Sequence, residues 1–254
     1  MLLPAHHEPL TDEDLDRIYA WPDWPVPTAW LRANMVMTAD GAARSPDGLS
    51  AGISSDADRR VFGRLRGLAD VVLAGASTVR AEGYKPAKAK PEFADRRAAA
   101  RQTPVPAIAV VTRSLDLDLG SPLFSDPPVR TLVITCGSAD PARLDEVAER
   151  ADIVVAGDDD VDLHRAVRAL NERGLHRVHA EGGPHLLAEL AATGLLDELL
   201  LTVSPVLAGG AYAGGEGPIP RVLSGVPLPD APRPLQLHHA LEDEGTLFLD
   251  YRVG

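Results

Sequence analysis

Arg177-Val178-His179-Ala180-Glu181-Gly182-Gly183-Pro184-His185-Leu186-Leu187-Ala188-Glu189-Leu190 is the stretch whose reading decides the fold. A short apolar run ends in a carboxylate, two glycines follow, and Pro184 opens a stripe of Leu186, Leu187 and Leu190 at helical spacing. Proline suits the first turn of a helix, where its missing N–H is not needed. Paired glycines carry no Cβ, so backbone there can approach a ligand closely. A helix N-terminus facing the same gap offers free N–H groups and a partial positive charge. The stretch predicts a strand–turn–helix unit of an α/β sheet. Its turn is either a cofactor diphosphate site or a plain connection, since turns of this kind are common in α/β folds.

Composition narrows the classes. The 254 residues can bury a substantial core, and 45% apolar with 24% charged residues is ordinary for a globular chain. The formal net charge of −12 argues against non-specific binding to nucleic acid or to an anionic membrane. It also requires that any site for an anionic ligand be locally basic. The single cysteine, Cys136, follows the apolar run Leu132-Val133-Ile134 and reads as a buried, inert thiol, with no disulfide and no thiolate metal site. The opening Met1-Leu2-Leu3-Pro4 breaks into histidines and acids without an apolar signal region. No run reaches the ~20 apolar residues of a membrane helix, so a cytoplasmic protein is expected.

Outward from the central stretch, residues 1–28 read as an arm: Thr11 caps a short helix over 12–19, and the Trp21-to-Pro27 segment, with three prolines, is irregular and clamped by its two tryptophans. Residues 29–254 then read as one domain. Residues 30–37 form the first buried strand, and Thr38-Ala39-Asp40-Gly41 at its end is either a site rim or a closing turn. Residues 42–53 are a small-residue loop. Ser55, with Asp58 three residues on, starts a helix whose buried stripe is Val61, Phe62, Leu65 and Leu68. Arg66 lies at the edge of that stripe, placed to reach inward. Asp70 to Gly75 is a near-continuous apolar strand, as in a parallel sheet buried on both faces, and Gly75-Ala76-Ser77-Thr78 forms a second strand–glycine–helix geometry suited to an anion. No G-x-G-x-x-G fingerprint occurs.

Residues 85–104, with Lys85, Lys88, Lys90, Arg96, Arg97 and Arg101, read as a mobile loop with a helical turn near 93–101. Strand 106–111 ends in Thr112-Arg113-Ser114, a cation between hydroxyls that fits a phosphate monoester such as the 2′-phosphate of NADP. Strands over 129–135 and 152–156 alternate with helices over 141–150 and 161–172, the acids at 158–160 sitting at a helix start rather than in a metal site. Strand 195–203, a glycine-rich mobile segment over 208–220, and two strands over 234–241 and 246–252 close the chain. The sheet is therefore expected to be mostly parallel and mixed, flanked by helices, with a C-terminal antiparallel hairpin. The eight histidines show no metal-binding spacing, so no metal is expected, and His176 and His179 are placed on opposite faces.

Four motifs resemble one family. Asn34-Met35-Val36-Met37-Thr38-Ala39-Asp40-Gly41, Ala74-Gly75-Ala76-Ser77-Thr78-Val79, Glu181-Gly182-Gly183-Pro184 and Ser204-Pro205-Val206-Leu207-Ala208-Gly209-Gly210 follow the order and spacing of the reductase domain of the bacterial riboflavin-pathway bifunctional deaminase–reductase, from about Trp30 onward. The resemblance implies a dihydrofolate-reductase-like α/β fold, NADPH as hydride donor and a homodimer. It implies a pyrimidine substrate, 5-amino-6-(5-phosphoribosylamino)uracil, whose ribosyl group is reduced to ribityl. By the same resemblance, Thr78, Glu82 and the loop Gly183, Pro184, His185, Leu186 and Leu187 bind cofactor; on their local geometry alone Gly75, Gly182, Thr112, Arg113 and Ser114 join them. Thr38, Ser50, Arg66 and Glu181 bind substrate, and Asp40 and Glu181 are the candidate catalytic carboxylates, for protonation or for anchoring ring N–H groups.

The chain departs from the family pattern in two places. The usual acidic–acidic/Asn–Pro step is Glu82-Gly83-Tyr84 here, and the leucine and arginine that hold substrate phosphate are not recognisable. One cysteine cannot build the zinc deaminase domain of the bifunctional protein, so a stand-alone reductase is expected. The alternatives are a dihydrofolate or pterin reductase, and a protein that binds NADPH without turnover.

Overall fold

A computed structural model describes residues 8–24, 28–211, 217–229 and 231–254. The expectations for Met1 to Pro4, for Pro25-Val26-Pro27 and for the centre of the glycine-rich 208–220 segment lie outside these described residues. In chain order the elements are α1 (Asp12–Ile18), β1 (Trp30–Thr38), α2 (Asp56–Leu68), β2 (Val71–Gly75), α3 (Ala76–Ala81), α4 (Pro91–Ala99), β3 (Ala107–Val111), α5 (Pro122–Ser125), β4 (Leu132–Thr135), α6 (Pro141–Ala148), β5 (Asp152–Val155), α7 (Leu163–Glu172), β6 (Arg177–Ala180), α8 (Pro184–Ala192), β7 (Glu198–Ser204), β8 (Leu235–Asp243) and β9 (Thr246–Val253). A single 3-10 turn covers Ala51–Ile53.

Among the described residues one sheet carries nine strands in the order β5-β4-β3-β2-β6-β1-β7-β9-β8. The seven strands from β5 to β7 are parallel, and β9 and β8 add antiparallel at one edge. This is the mostly parallel mixed sheet, flanked by helices and closed by a terminal hairpin, that the sequence predicts. The parallel strands are apolar on both faces because both faces are covered. Leu163, Leu170, Leu186, Leu187 and Leu190 from α7 and α8 pack on one face with Leu31, Leu73 and Val178. Val79, Phe124 and Val147 from α3, α5 and α6 pack on the other with Val72, Ile108 and Val133. Leu15 and Tyr19 of the arm join that second face with Val61 and Leu65 of α2 and Phe93 of α4.

The arm is also held by polar contacts. Arg64 of α2 makes a two-pronged buried pair with Asp16. Arg32 donates to the Tyr19 carbonyl at 2.8 Å, and the Trp21 indole N–H donates to the Leu68 carbonyl at 2.9 Å.

The order places β6 between β2 and β1. From β6 the chain leaves into α8 on one face, and from β2 into α3 on the other. The two connections diverge over neighbouring strand ends and leave a crevice there, as at the switch points of open α/β sheets.

Several boundaries differ from the sequence reading, each for a local reason. The helical turn expected near 93–101 is a full helix over Pro91–Ala99. Pro91 sits in its first turn, and Phe93 and Arg97, four apart, are buried. Arg97 donates to the carbonyls of Gly67, Ala69 and Thr103, so the segment is anchored by a guanidinium that sequence periodicity does not register. Strand β7 begins at Glu198, not at 195, because the Leu195 N–H is used to close α8 on the Leu190 carbonyl. Helix α7 begins at Leu163 with Asp162 as its cap, accepting from the Arg165 N–H at 3.0 Å. Strand β8 carries a bulge near His238, which breaks the alternation of Leu235, Leu237, His239 and Leu241. Leu235 and Leu237 are exposed in consequence. Cys136 is buried. Among the described residues no helix is long and apolar enough to cross a membrane.

Candidate active site

A cleft of about 390 Å³ opens at the ends of β1, β2 and β6. Its centre is an ion pair between residues far apart in sequence. Arg66, in the last turn of α2, donates Nε to Glu181 Oε1 at 2.5 Å and Nη2 to Oε2 at 2.6 Å. Tyr84 donates its hydroxyl to Glu181 Oε2 at 2.7 Å. The Arg66 guanidinium lies over the rings of Phe62 at 4.6 Å and Tyr84 at 5.1 Å, which fix its plane. Burial pushes the Glu181 carboxyl up, but the Arg66 charge and the hydrogen bonds from Arg66 and Tyr84 outweigh it and hold the group below the usual carboxylate value. Glu181 is therefore an ionised acceptor: Oε2 takes two donors and Oε1 one, which leaves a lone-pair site on Oε1.

Beneath it, His179 is fully buried on β6, with Nε2 3.6 Å from Glu181 Oε1 and no hydrogen-bond partner for either ring nitrogen among the described residues. Burial lowers its pKa from 6.5 to about 4, so the ring is neutral. The unfolded chain takes up this proton near pH 6.5 and the folded chain only near pH 4. The free energy of unfolding is thus expected to fall as pH drops through that window. Denaturant titrations at stepped pH should show a flatter decline for His179→Asn than for the wild type; equal slopes contradict the assignment.

The Gly-Gly turn borders the cleft. Gly182 has φ +81°, the Gly182–Gly183 peptide is cis, and the Gly182 carbonyl accepts from the Gly75 N–H at 3.0 Å, tying the ends of β6 and β2 together. A Cβ on Gly183 would sit 2.6 Å from Thr78 Oγ1. The Thr78 hydroxyl is buried and has no hydrogen-bond partner among the described residues. In α8 the first intrahelical bond is Leu187 N–H to the Gly183 carbonyl, so the amides of His185 and Leu186 precede it and stay available. These features fit a dinucleotide diphosphate: an orphaned hydroxyl, backbone stripped of Cβ atoms and a helix N-terminus converge on one point.

The expected residues divide. Ser50, Arg66, Thr78, Glu82, Glu181, Gly183 and Pro184 line the cleft together. Glu82 accepts from the Ser50 N–H at 3.0 Å. Leu186 and Leu187 are core side chains, 6% and 0% exposed, so only their amides can meet a ligand. His185 is exposed and lies against Gly225, away from the cleft lining. Thr38 is buried and Asp40 exposed, and neither lines the cleft. Asp40 accepts from the Thr38 hydroxyl and from the Ala208 and Gly209 N–H groups at 3.2 and 2.8 Å. Those bonds, the Thr38 one first, hold its carboxyl below the usual value. Thr112 turns its hydroxyl inward to the Leu115 N–H at 3.0 Å, while Arg113 and Ser114 are exposed.

Tyr84 and Arg44 are among the cleft residues that the sequence did not mark as site residues. Tyr84 stands where the motif departs from the family, which was its only signal. Arg44, the one cation of the 42–53 loop, also lines the cleft. A second cavity of about 280 Å³ shares Phe62, Arg66 and Lys85 with the cleft and adds Lys88 and Lys90. Lys85, Lys88 and Lys90 are the only lysines of the chain, so a −12 protein gathers all of them at one margin of this site.

Residues 29–223 match the family described as the RibD C-terminal domain. The chain is similar to the 2,5-diamino-6-ribosylamino-4(3H)-pyrimidinone 5′-phosphate reductase of Archaeoglobus fulgidus, with 28% identity over 181 residues, 71% of this chain and 82% of that protein. The protein of the same name from Methanothermobacter thermautotrophicus is 31% identical over 180 residues, 71% of this chain and 79% of the relative. Among solved structures, a pyrimidine reductase-like protein from Corynebacterium diphtheriae has a TM-score of 0.78 at 25% identity, covering 94% of this chain and 98% of that one. The sheet order, the Gly-Gly turn after β6 and these matches agree, and the chain belongs to the RibD C-terminal domain family.

Proposed function

We propose that this chain is an NADPH-dependent reductase of riboflavin biosynthesis that converts the ribosyl group of a ribosylaminopyrimidine 5′-phosphate to ribityl. The substrate is 5-amino-6-(5-phosphoribosylamino)uracil or its 2,5-diaminopyrimidinone counterpart. The observation that carries this reading is the meeting of the Gly182–Gly183 turn and orphaned Thr78 hydroxyl with the Arg66–Glu181–Tyr84 group in one cleft. When bound, NADPH supplies the hydride. The chain contributes position: amides of α8 and the Thr78 hydroxyl hold the diphosphate, and Glu181 accepts from a pyrimidine N–H group, its orientation fixed by Arg66 and Tyr84. Glu181 and Asp40 are both held ionised, so neither donates a proton at neutral pH; Glu181 anchors the ring, and Asp40 holds the 208–209 backbone. Incubation with NADPH and each pyrimidine should yield the ribityl product by mass spectrometry, with no oxidation on dihydrofolate. Turnover of dihydrofolate alone would replace this reading with a folate reductase.

Two further outcomes follow. Arg113, exposed at the end of β3, is assigned to the 2′-phosphate. Arg113→Ala should raise KM for NADPH about tenfold while leaving KM for NADH unchanged, since one charge-assisted contact is worth about 1.5–3 kcal/mol; an unaltered ratio of the two constants removes Arg113 from the site. The lysine margin is assigned to the substrate phosphate. Replacing Lys85, Lys88 and Lys90 together by alanine should raise KM about tenfold at low salt and leave kcat nearly intact, each exposed contact being worth about 0.2–1 kcal/mol. The effect should shrink at high ionic strength. A loss of equal size on the dephosphorylated substrate contradicts the assignment. A cytoplasmic homodimer is part of the same proposal, with exposed Leu235, Leu237 and Leu247 on the terminal hairpin as apolar surface for a second copy; sedimentation equilibrium measures it.

A further inference from the structure

The terminal hairpin brings together three groups that the reduction does not use. Strand β8 pairs Leu237 with Tyr251 and then His239 with Asp250, so His238 is an extra residue in the ladder. In a regular strand, neighbouring side chains point to opposite faces. The bulge re-aims them, and the rings of His238 and His239 stand with centroids 5.5 Å apart. Asp250 reaches the same point from β9. One ligand atom from each of His238, His239 and Asp250 lies within 4.8 Å of the others. His239 Nδ1 and Asp250 Oδ2 are 3.3 Å apart, close to the ~3.3 Å that separates two ligands of a tetrahedral ion bound at ~2.0–2.1 Å.

The surroundings leave these atoms unspent. Asp250 is 1% exposed and lies against the Glu198 carboxylate, and among the described residues no N–H or cation is hydrogen-bonded to either of its carboxylate oxygens. A buried carboxylate in that state is costly unless a donor or a cation meets it. The two nearby guanidiniums are taken by Glu198, Arg32 at 2.8 Å and Arg252 at 3.0 Å. The Tyr19 ring closes one side of His239, with centroids 5.3 Å apart, while His238 is exposed and gives access from solvent.

We propose that His238, His239 and Asp250 form a binding site for one divalent transition-metal ion of the zinc type, with a fourth position open to water. Two imidazoles and one carboxylate are a donor set for zinc, nickel or copper rather than for magnesium or calcium. The histidines are adjacent in sequence, a spacing that carries no metal signal in a regular strand, and only the bulge makes them convergent. Bound metal would fasten β8 to β9 beneath the arm, at the one free edge of the sheet on this side.

The test uses the untagged full chain, stripped by a chelator and titrated with zinc chloride by calorimetry, and with cobalt(II) by visible absorption. The expected result is one equivalent of zinc, a four-coordinate cobalt spectrum and a zinc-dependent rise in melting temperature. His238→Ala removes an exposed ligand and leaves the core untouched. It should weaken zinc about tenfold or more, abolish the thermal shift and leave NADPH binding unchanged. Asp250→Asn should lose the cobalt spectrum, with circular dichroism confirming that it folds. Absence of zinc binding, or equal zinc affinity in wild type and His238→Ala, overturns the proposal and leaves His239 and Asp250 as a plain polar pair.

Discussion

Arg66→Ala is expected to lower the free energy of unfolding by about 3–5 kcal/mol and to remove reductase turnover, because it strands a buried carboxylate. The Glu181 side chain is 1% exposed and that of Arg66 is 25% exposed, so solvent cannot take over the pairing. Tyr84 alone remains as a donor. Arg66→Lys keeps the charge but loses the planar fork, and should fall between wild type and alanine. The companion double variant Arg66→Met with Glu181→Leu removes both charges. Its stability should return to near the wild-type value, while turnover stays absent. Denaturant unfolding separates the two effects. A loss below about 1 kcal/mol for Arg66→Ala would mean that the pair is solvated and does not organise the cleft.

Gly183→Ala carries the second large effect. The residue sits at φ −66°, a conformation open to any amino acid, so the consequence comes from space alone. The new methyl would lie 2.6 Å from Thr78 Oγ1 and 3.5 Å from Arg44 Nη2. Thr78 is short and buried and has little room to yield. Overpacking of this kind costs about 1–3 kcal/mol in stability. The coenzyme should suffer more, with Kd rising by about two orders of magnitude, because the shifted hydroxyl and the methyl both intrude where the diphosphate is assigned. Gly75→Ala is the companion: a Cβ there meets nothing within 4 Å, so the fold should tolerate it while coenzyme affinity falls. If Gly183→Ala binds NADPH as tightly as wild type, the turn is a connection and not a binding site.

The legible parts of the fold were those in which one physical pattern acts alone. The unbroken apolar run of β2 announces a strand covered on both faces, and the structure buries Val71 to Ala74 completely. Thr11 and Ser55 mark helix starts that the structure keeps, each accepting from the N–H three residues on. What stayed hidden depends on partners distant in the chain. Helix α4 has one large apolar residue, and a buried Arg97 bound to three carbonyls does the work that a hydrophobic stripe does elsewhere. The bulge in β8 leaves no composition signal, so the alternation of Leu235, Leu237, His239 and Leu241 does not reveal that Leu235 and Leu237 are exposed.

In the site, Arg66 was legible because it stands at the edge of the α2 stripe. Its grip on Glu181, 115 residues away, required the sheet order to be known. Tyr84 could be noticed only as a departure, since a phenol that steadies a carboxylate has no fixed spacing from it. Asp40 drew attention as a carboxylate beside a glycine, but its oxygens cap the 208–209 backbone.

The central claim is that backbone following Glu181 holds a reduced nicotinamide dinucleotide beside the Arg66–Glu181 pair. Calorimetric titration of NADPH into the purified chain tests it most directly. Saturable heat at one equivalent per chain is expected, strongly weakened in Gly183→Ala. No heat in the wild type, or identical isotherms for the two proteins, would contradict it.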